Sequence, residues 1–138
     1  MTKNLDQSGL RSIADNYNLF YIDLWGVVHN GISLHKEAIN VLNELSRIKK
    51  DYVLLTNAPR PSTPVKTFLK KMGLEEEISN HVFTSGEAAL NYLKKNFFNQ
   101  KFFHIGPPRD FDLFNDFREM KSLDINISKY ILCTGLFD

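Results

Sequence analysis

The stretch Leu19–Gly31, LFYIDLWGVVHNG, decides how the rest of the chain is read. Four apolar residues, Leu19 to Ile22, lead directly into Asp23. Beyond it Leu24, Trp25, Gly26 and two valines run on to the turn pair Asn30-Gly31. A short apolar run bounded by turn signals predicts a buried strand. Ligands of open α/β sheets bind at the carboxyl ends of the strands, and an aspartate placed there can act as nucleophile or metal ligand. An aspartate after a strand also serves as an ordinary turn or cap residue, so Asp23 is weighed by what the chain brings beside it.

Outward from this strand the pattern alternates. Residues 8–17 place Leu10, Ile13, Ala14 and Tyr17 on one face of a short helix, with Ser8 as its N-cap. Residues 35–50 carry an apolar stripe of Ala38, Val41, Leu42, Leu45 and Ile48. Tyr52–Leu55 is a second buried strand, and it ends at Thr56-Asn57. Ala58-Pro59-Arg60-Pro61 breaks the chain, Ser62 or Thr63 caps a third helix with Pro64 at its first position, and Gly73 stops it. Glu75–Asn80 reads as a loop or single turn and His81–Thr84 as a third strand. Ser85 then caps a helix to about Phe97, with Ala89, Leu90, Leu93 and Phe97 inward. Lys101–Ile105 is a fourth strand broken by Gly106-Pro107-Pro108, Asp110–Met120 a helix, and Tyr130–Thr134 a fifth strand. Strands alternating with helices predict βαβ units, a mostly parallel sheet and right-handed crossovers.

Composition narrows the function. A chain of 138 residues, 43% hydrophobic and 24% charged, has the size and make-up of one globular domain with a real core. Seventeen basic against sixteen acidic residues leave a net charge of +1, which argues against a nucleic-acid stripe or a membrane-binding patch. Residues 1–18 lack the apolar run of a signal peptide, and no stretch approaches the ~20 apolar residues of a membrane span. With Cys133 as its one cysteine the chain has no internal disulfide, so a reducing, cytoplasmic setting is expected, and Cys133 reads as an inert core thiol. His29, His35, His81 and His104 show no metal-ligand spacing and read as surface or strand-end residues. Arg60 and Arg109 follow strand-end turns and read as solvated loop residues, with contact to a substrate anion as the alternative. Phe102, Phe103, Phe111, Phe114 and Phe117 read as the core of the last βαβ unit, and neither common Gly-rich nucleotide motif occurs.

In a parallel sheet the ends of the first two strands lie side by side, so Asp23 faces Thr56-Asn57. A carboxylate opposite a hydroxyl and an amide can form a pocket for phosphate and metal, with ordinary turn chemistry at Thr56-Asn57 as the alternative. The hydroxyl and nearby backbone N–H groups hold phosphate oxygens, and Gly26 lets the backbone approach a ligand.

Residues 18–31 and 52–61 together resemble the haloacid dehalogenase (HAD) superfamily of phosphatases, subclass IIA, the NagD-like group. The first family motif, an apolar strand and then Asp-x-Asp-x-Thr or Val, reads here as Asp23-Leu24-Trp25-Gly26-Val27. The second, an apolar strand ending in Thr or Ser, reads as Val53-Leu54-Leu55-Thr56-Asn57-Ala58. Val82-Phe83-Thr84-Ser85-Gly86-Glu87-Ala88-Ala89 resembles the subclass segment before its cap domain. The resemblance implies an α/β fold, a three-layer Rossmann-like parallel sheet that is incomplete here. Residues 1–98 would be the N-terminal part of the core and 99–138 the beginning of an α/β cap. It implies a hydrolase acting on a small phosphorylated metabolite. Asp23 would attack the phosphate and form an aspartyl-phosphate; its carboxylate and the backbone carbonyl of Trp25 would bind Mg²⁺; Thr56, Asn57 and Gly26 would hold the phosphoryl group. Trp25–Ser33 would form a single-turn squiggle and hairpin flap, with Asn30-Gly31 at the tip.

Two departures follow from the same comparison. The family's second aspartate, its general acid and base, is Trp25 here, and His29 is the nearest residue in sequence that could replace it. The later family lysine and acidic cluster do not occur before Asp138. The family core sets the strand of that cluster beside the first strand, so the Asp23 strand is expected to lack a neighbour. The sequence is therefore expected to be the N-terminal part of a longer protein, or to self-associate through that edge. The alternative function is a catalytically weak HAD-like domain that binds a phosphorylated ligand or a protein partner.

Overall fold

The chain alternates strand and helix as its apolar pattern requires, and its strands form two separate parallel sheets. The computed structural model describes residues 5–6 and 8–135. The first sheet consists of β1 (Leu19–Asp23), β2 (Asp51–Thr56) and β3 (Val82–Thr84) in the order β1-β2-β3. α1 (Lys36–Arg47) connects β1 to β2; α2 (Ser62–Lys71) and the single turn α3 (Glu76–Ser79) connect β2 to β3. Consecutive strand order with right-handed crossovers sets both connecting helices on one face. That face holds the main core: Phe20 and Ile22 from β1, Tyr52 and Leu54 from β2 and Val82 from β3 meet Leu42 and Leu45 of α1 and Leu69 of α2. Period-two alternation turns Leu19, Tyr21 and Phe83 to the other face, where they stay exposed. β1 is an edge strand of this sheet among the described residues, as the family comparison implied.

α4 (Ser85–Asn96) leads away from β3 to the second sheet, β4 (Phe102–Ile105), β5 (Lys121–Ser122) and β6 (Tyr130–Cys133), in the order β5-β4-β6. Its core is smaller: Phe102 and Phe117 pack with Leu90 and Leu93 of α4. The side chains of Arg109, Phe111 and Phe114 lie outside the described residues.

Several local elements differ from the sequence expectation. Residues 8–17 form two 3₁₀ turns, Leu10–Ser12 and Ala14–Asn16, rather than an α-helix. Gly9 with φ +64° occupies the cap position and no side chain caps the turn; the Ser12 hydroxyl bonds to the Gly9 carbonyl instead. Such local bonds from short polar side chains compete with the helix. Residues Pro108–Met120 are also 3₁₀. The two-residue β5 is too short to leave a pattern, and the expected fifth strand is β6. Cys133 is exposed because β6 presents alternate residues to solvent, and Ala89 is likewise exposed on α4. α2 starts at Ser62 without a side-chain cap, and Thr84 rather than Ser85 caps α4. No described helix is long and apolar enough to cross a membrane.

Leu54 is fully buried at the centre of the first core. Leu54→Ala is expected to lower the unfolding free energy by about 2–5 kcal/mol, whereas Tyr21→Ser on the open face should change it by about 0.5 kcal/mol or less. Chemical denaturation of the two variants checks which face the helices cover.

Candidate active site

Asp23 is the last residue of β1 and pairs in register with Leu55 of β2. Thr56, the next residue, therefore leaves the neighbouring strand end beside it, and Asn57 follows into the loop. The Leu24 N–H donates both to the Leu55 carbonyl at 3.0 Å and to Asp23 Oδ1 at 2.8 Å. One hydrogen atom thus fastens the carboxylate to the end of the sheet. No hydrogen bond among the described residues engages Oδ2, and Asp23 is exposed.

The segment after Asp23 makes one helical turn and then a hairpin. Val28 and His29 both donate to the Leu24 carbonyl, at 2.9 and 3.1 Å. The Asn30 amide donates to the Ser33 carbonyl, while Asn30 Oδ1 accepts from Ile32 and Ser33 N–H. This side-chain turn and Gly31 with φ +90° form the expected hairpin tip. Leu24 and Val28 anchor the segment in the main core. Gly26 has φ +77° with open space where a Cβ would stand. Its N–H is engaged by the His29 carbonyl at 2.8 Å, so Gly26 offers open space rather than a free amide.

Trp25 lies on this flap. Its indole covers Gly31 so closely that a Cβ there would collide with the ring, and it meets the His29 ring edge-on at 5.4 Å between centroids. The indole remains 63% exposed. His29, expected at the surface, is instead 6% exposed, with Phe68 of α2 on another side at 6.0 Å. Its Nδ1 accepts the Gly31 N–H at 3.0 Å, which fixes the neutral ring with its proton on Nε2. Burial first, then His35, hold the His29 pKa below the ordinary 6.5, and the Asp23 charge opposes them.

The loop after Thr56 is braced from β3 and α4. The Thr56 hydroxyl oxygen accepts the Ala58 N–H at 3.3 Å, and no acceptor among the described residues takes its O–H. Ser85 Oγ and Gly86 N–H both donate to the Ala58 carbonyl, at 2.9 and 3.2 Å. The Thr84 hydroxyl donates to the Arg60 carbonyl and accepts the Glu87 N–H, and Glu87 Oε2 accepts the Ser62 N–H at 3.1 Å. Gly86 sits so close to Arg60 that any Cβ would strike its backbone. Thr84, Ser85, Gly86 and Glu87 are thus structural partners of the site that the strand-end reading did not single out; their signal was the TSGE run itself.

For a metal, the described residues contain no cluster of three histidine, cysteine or acidic side chains. The donors present at the strand end are the Asp23 carboxylate and the Trp25 carbonyl, which accepts no backbone N–H among the described residues. One carboxylate with one carbonyl suits Mg²⁺, which keeps several waters, better than a softer metal.

An exposed carboxylate and a hydroxyl thus lie at adjacent carboxyl ends of a parallel sheet, the edge at which open α/β folds bind ligands. The sequence profile of haloacid dehalogenase-like hydrolases matches residues 20–118, and the chain belongs to that family. Among solved structures, a haloacid dehalogenase-like hydrolase from Brucella suis 1330 superposes with a TM-score of 0.75 at 29% identity over 94% of this chain. A putative nagD protein superposes at 0.68 with 23% identity over 86%, and a 4-nitrophenylphosphatase from Thermotoga maritima at 0.69 with 22% identity over 88%. This chain spans 46% of the length of each of those three. No curated protein sequence matches it.

Gly86→Ala is expected to destabilise the fold by roughly 1–3 kcal/mol through overpacking against Arg60, measured by denaturant titration. His29 gives a pH signature. Its folded pKa lies below its unfolded value of 6.5, so below pH 6.5 the unfolded chain takes up a proton that the folded chain resists. Stability should therefore fall as pH drops through about 6.5, and His29→Gln should remove that part of the slope. Trp25, the chain's one tryptophan, reports the change by fluorescence.

Proposed function

We propose that this protein is a Mg²⁺-dependent phosphatase that hydrolyses small phosphorylated metabolites through an aspartyl-phosphate on Asp23. The observation that carries this reading is the pairing of Asp23 with Leu55, which sets an exposed, partly unengaged carboxylate beside the free O–H of Thr56. Asp23 Oδ2 is the attacking atom. Thr56 donates to a phosphoryl oxygen, and Asn57, at the exposed start of the braced loop, adds its amide. The open side of Gly26 leaves room for the phosphoryl group against the flap. Bound Mg²⁺, held by Asp23 and the Trp25 carbonyl, would supply positive charge to the phosphoryl oxygens. Fixed charges and donors of this kind account for most of the rate in phosphoryl transfer. Family membership and fold neighbours that include a 4-nitrophenylphosphatase support the hydrolase class.

The test is phenolate release from 4-nitrophenyl phosphate by the purified protein in Mg²⁺, against Asp23→Asn. Release should depend on Asp23, and Thr56→Val should lower it by about 10–10²-fold, the cost of one charge-assisted hydrogen bond. Equal rates for the protein and Asp23→Asn would overturn the reading. Mg²⁺-dependent phosphate binding without any release would favour a binding domain in its place.

A further inference from the structure

A phosphate ester of an ordinary alcohol leaves as an alkoxide unless something hands it a proton, and a positioned donor is worth typically ~10²–10⁴ in rate. Three segments lie at the carboxyl ends of β1, β2 and β3: the flap over residues 24–35, the loop over 57–62 and the brace over 84–87. The imidazole and carboxyl side chains on them are His29, His35 and Glu87. Glu87 is bound to the Ser62 N–H as the brace of α2. His29 is buried between the rings of Trp25 and Phe68, and its Nδ1 is engaged by Gly31. Taking up the proton needed for an acid would break that bond. His35 precedes α1; its backbone N–H donates to the Val28 carbonyl at 2.9 Å, a bond that leaves the imidazole as the alternative donor, which His35→Gln tests. The side chain two residues beyond Asp23 is an indole, locked over Gly31, and an indole N–H is no acid at neutral pH.

We propose that Trp25 restricts this site to phosphorylated compounds whose leaving group departs as a stable anion: aryl phosphates, acyl phosphates and phosphoanhydrides. The inference rests on Asp23 being the nucleophile. In the first step an Asp23 Oδ attacks phosphorus, the bond from phosphorus to the leaving oxygen breaks, and the electron pair departs on a phenolate, carboxylate or phosphate. No proton is needed. In the second step water attacks the same phosphorus, the bond to Oδ breaks, the carboxylate is restored, and both water protons end on inorganic phosphate or solvent. Alkyl phosphates then fail at the first step, because the side chain at position 25 has no proton to give the alkoxide. The exposed face of the indole gives planar leaving groups a surface to stack on, which favours aryl esters among the three classes.

The experiment measures kcat/KM for 2,4-dinitrophenyl, 4-nitrophenyl, phenyl and glycerol phosphates with the purified protein in Mg²⁺. The same series is run with Trp25→Asp, Trp25→Phe, His35→Gln and Asp23→Asn. The expected result is a steep fall with leaving-group basicity, at least about 10²-fold from 4-nitrophenyl to glycerol phosphate. Trp25→Asp should flatten it by raising glycerol phosphate turnover at least tenfold, and Trp25→Phe, which keeps a ring over Gly31, should keep it steep. Asp23-dependent turnover with a flat profile in the unaltered protein would overturn the proposal, and a profile that turns steep only in His35→Gln would name His35 as the donor. Absence of Asp23-dependent turnover on every substrate would instead remove the phosphatase reading on which the proposal stands. Should Trp25→Asp unfold, as circular dichroism would reveal, the comparison of Trp25→Phe with the unaltered protein still decides the slope.

Discussion

The parallel pairing of β1 with β2 is the constraint from which the site follows. Neither strand carries a complete site. β1 ends in a carboxylate, β2 in a hydroxyl and an amide, and only the register Asp23↔Leu55 brings them to one edge. That register is itself fixed by the alternation of core residues. Phe20 and Ile22 must face the helices together with Tyr52 and Leu54, and a slip of one residue would turn the whole set to solvent. The apolar core thus sets the position of the polar groups. The same Leu24 N–H that joins the strands also holds Asp23 Oδ1, so sheet pairing and carboxylate orientation are one interaction.

The two loops around this edge are held in different ways. The loop after Thr56 is fixed by a distant segment: the hydroxyls of Thr84 and Ser85 and the Gly86 N–H donate to its carbonyls, and the missing side chain of Gly86 lets α4 approach Arg60. The flap after Asp23 is fixed by its own residues. Leu24 and Val28 bury into the core, Asn30 closes the hairpin, and the rings of Trp25, His29 and Phe68 stack edge to face. The first loop is held by hydrogen bonds from outside it, the second by its own turn bonds together with packing. Each is held by groups other than Asp23 Oδ2 and the Thr56 O–H, which remain available.

Much of this was legible in the sequence because it depends on local pattern. The apolar runs before Asp23 and Thr56 locate both strands, and the stripe through Leu42 and Leu45 locates α1. Asn30-Gly31 marks the hairpin. What was not legible depends on contacts distant in sequence or on solvent access. Thr84, rather than the adjacent Ser85, caps α4, because Ser85 is drawn to the Ala58 carbonyl. His29 is buried because α2 brings Phe68 against it, a contact 39 positions away in the chain. The single cysteine lies in an apolar strand, as its neighbours indicated, yet faces solvent because β6 has one open side. The N-terminal stripe has helical spacing, but Gly9 and the Ser12 hydroxyl favour separate 3₁₀ turns.

Trp25 joins these levels. In sequence it is a departure from an acidic position. In the fold it explains the glycine six residues later, because Gly31 adopts a left-handed φ and also leaves the space that the indole fills. It explains the neutral state of His29 as well, since the indole and Phe68 enclose the ring that accepts the Gly31 N–H. An aspartate at position 25 would carry a solvated charge, fill little of that space and leave His29 more open to water. The aromatic residue therefore stabilises the flap by filling the space over Gly31 and against His29. Position 25 is thus where the departure in sequence and the packing of the flap meet in one side chain.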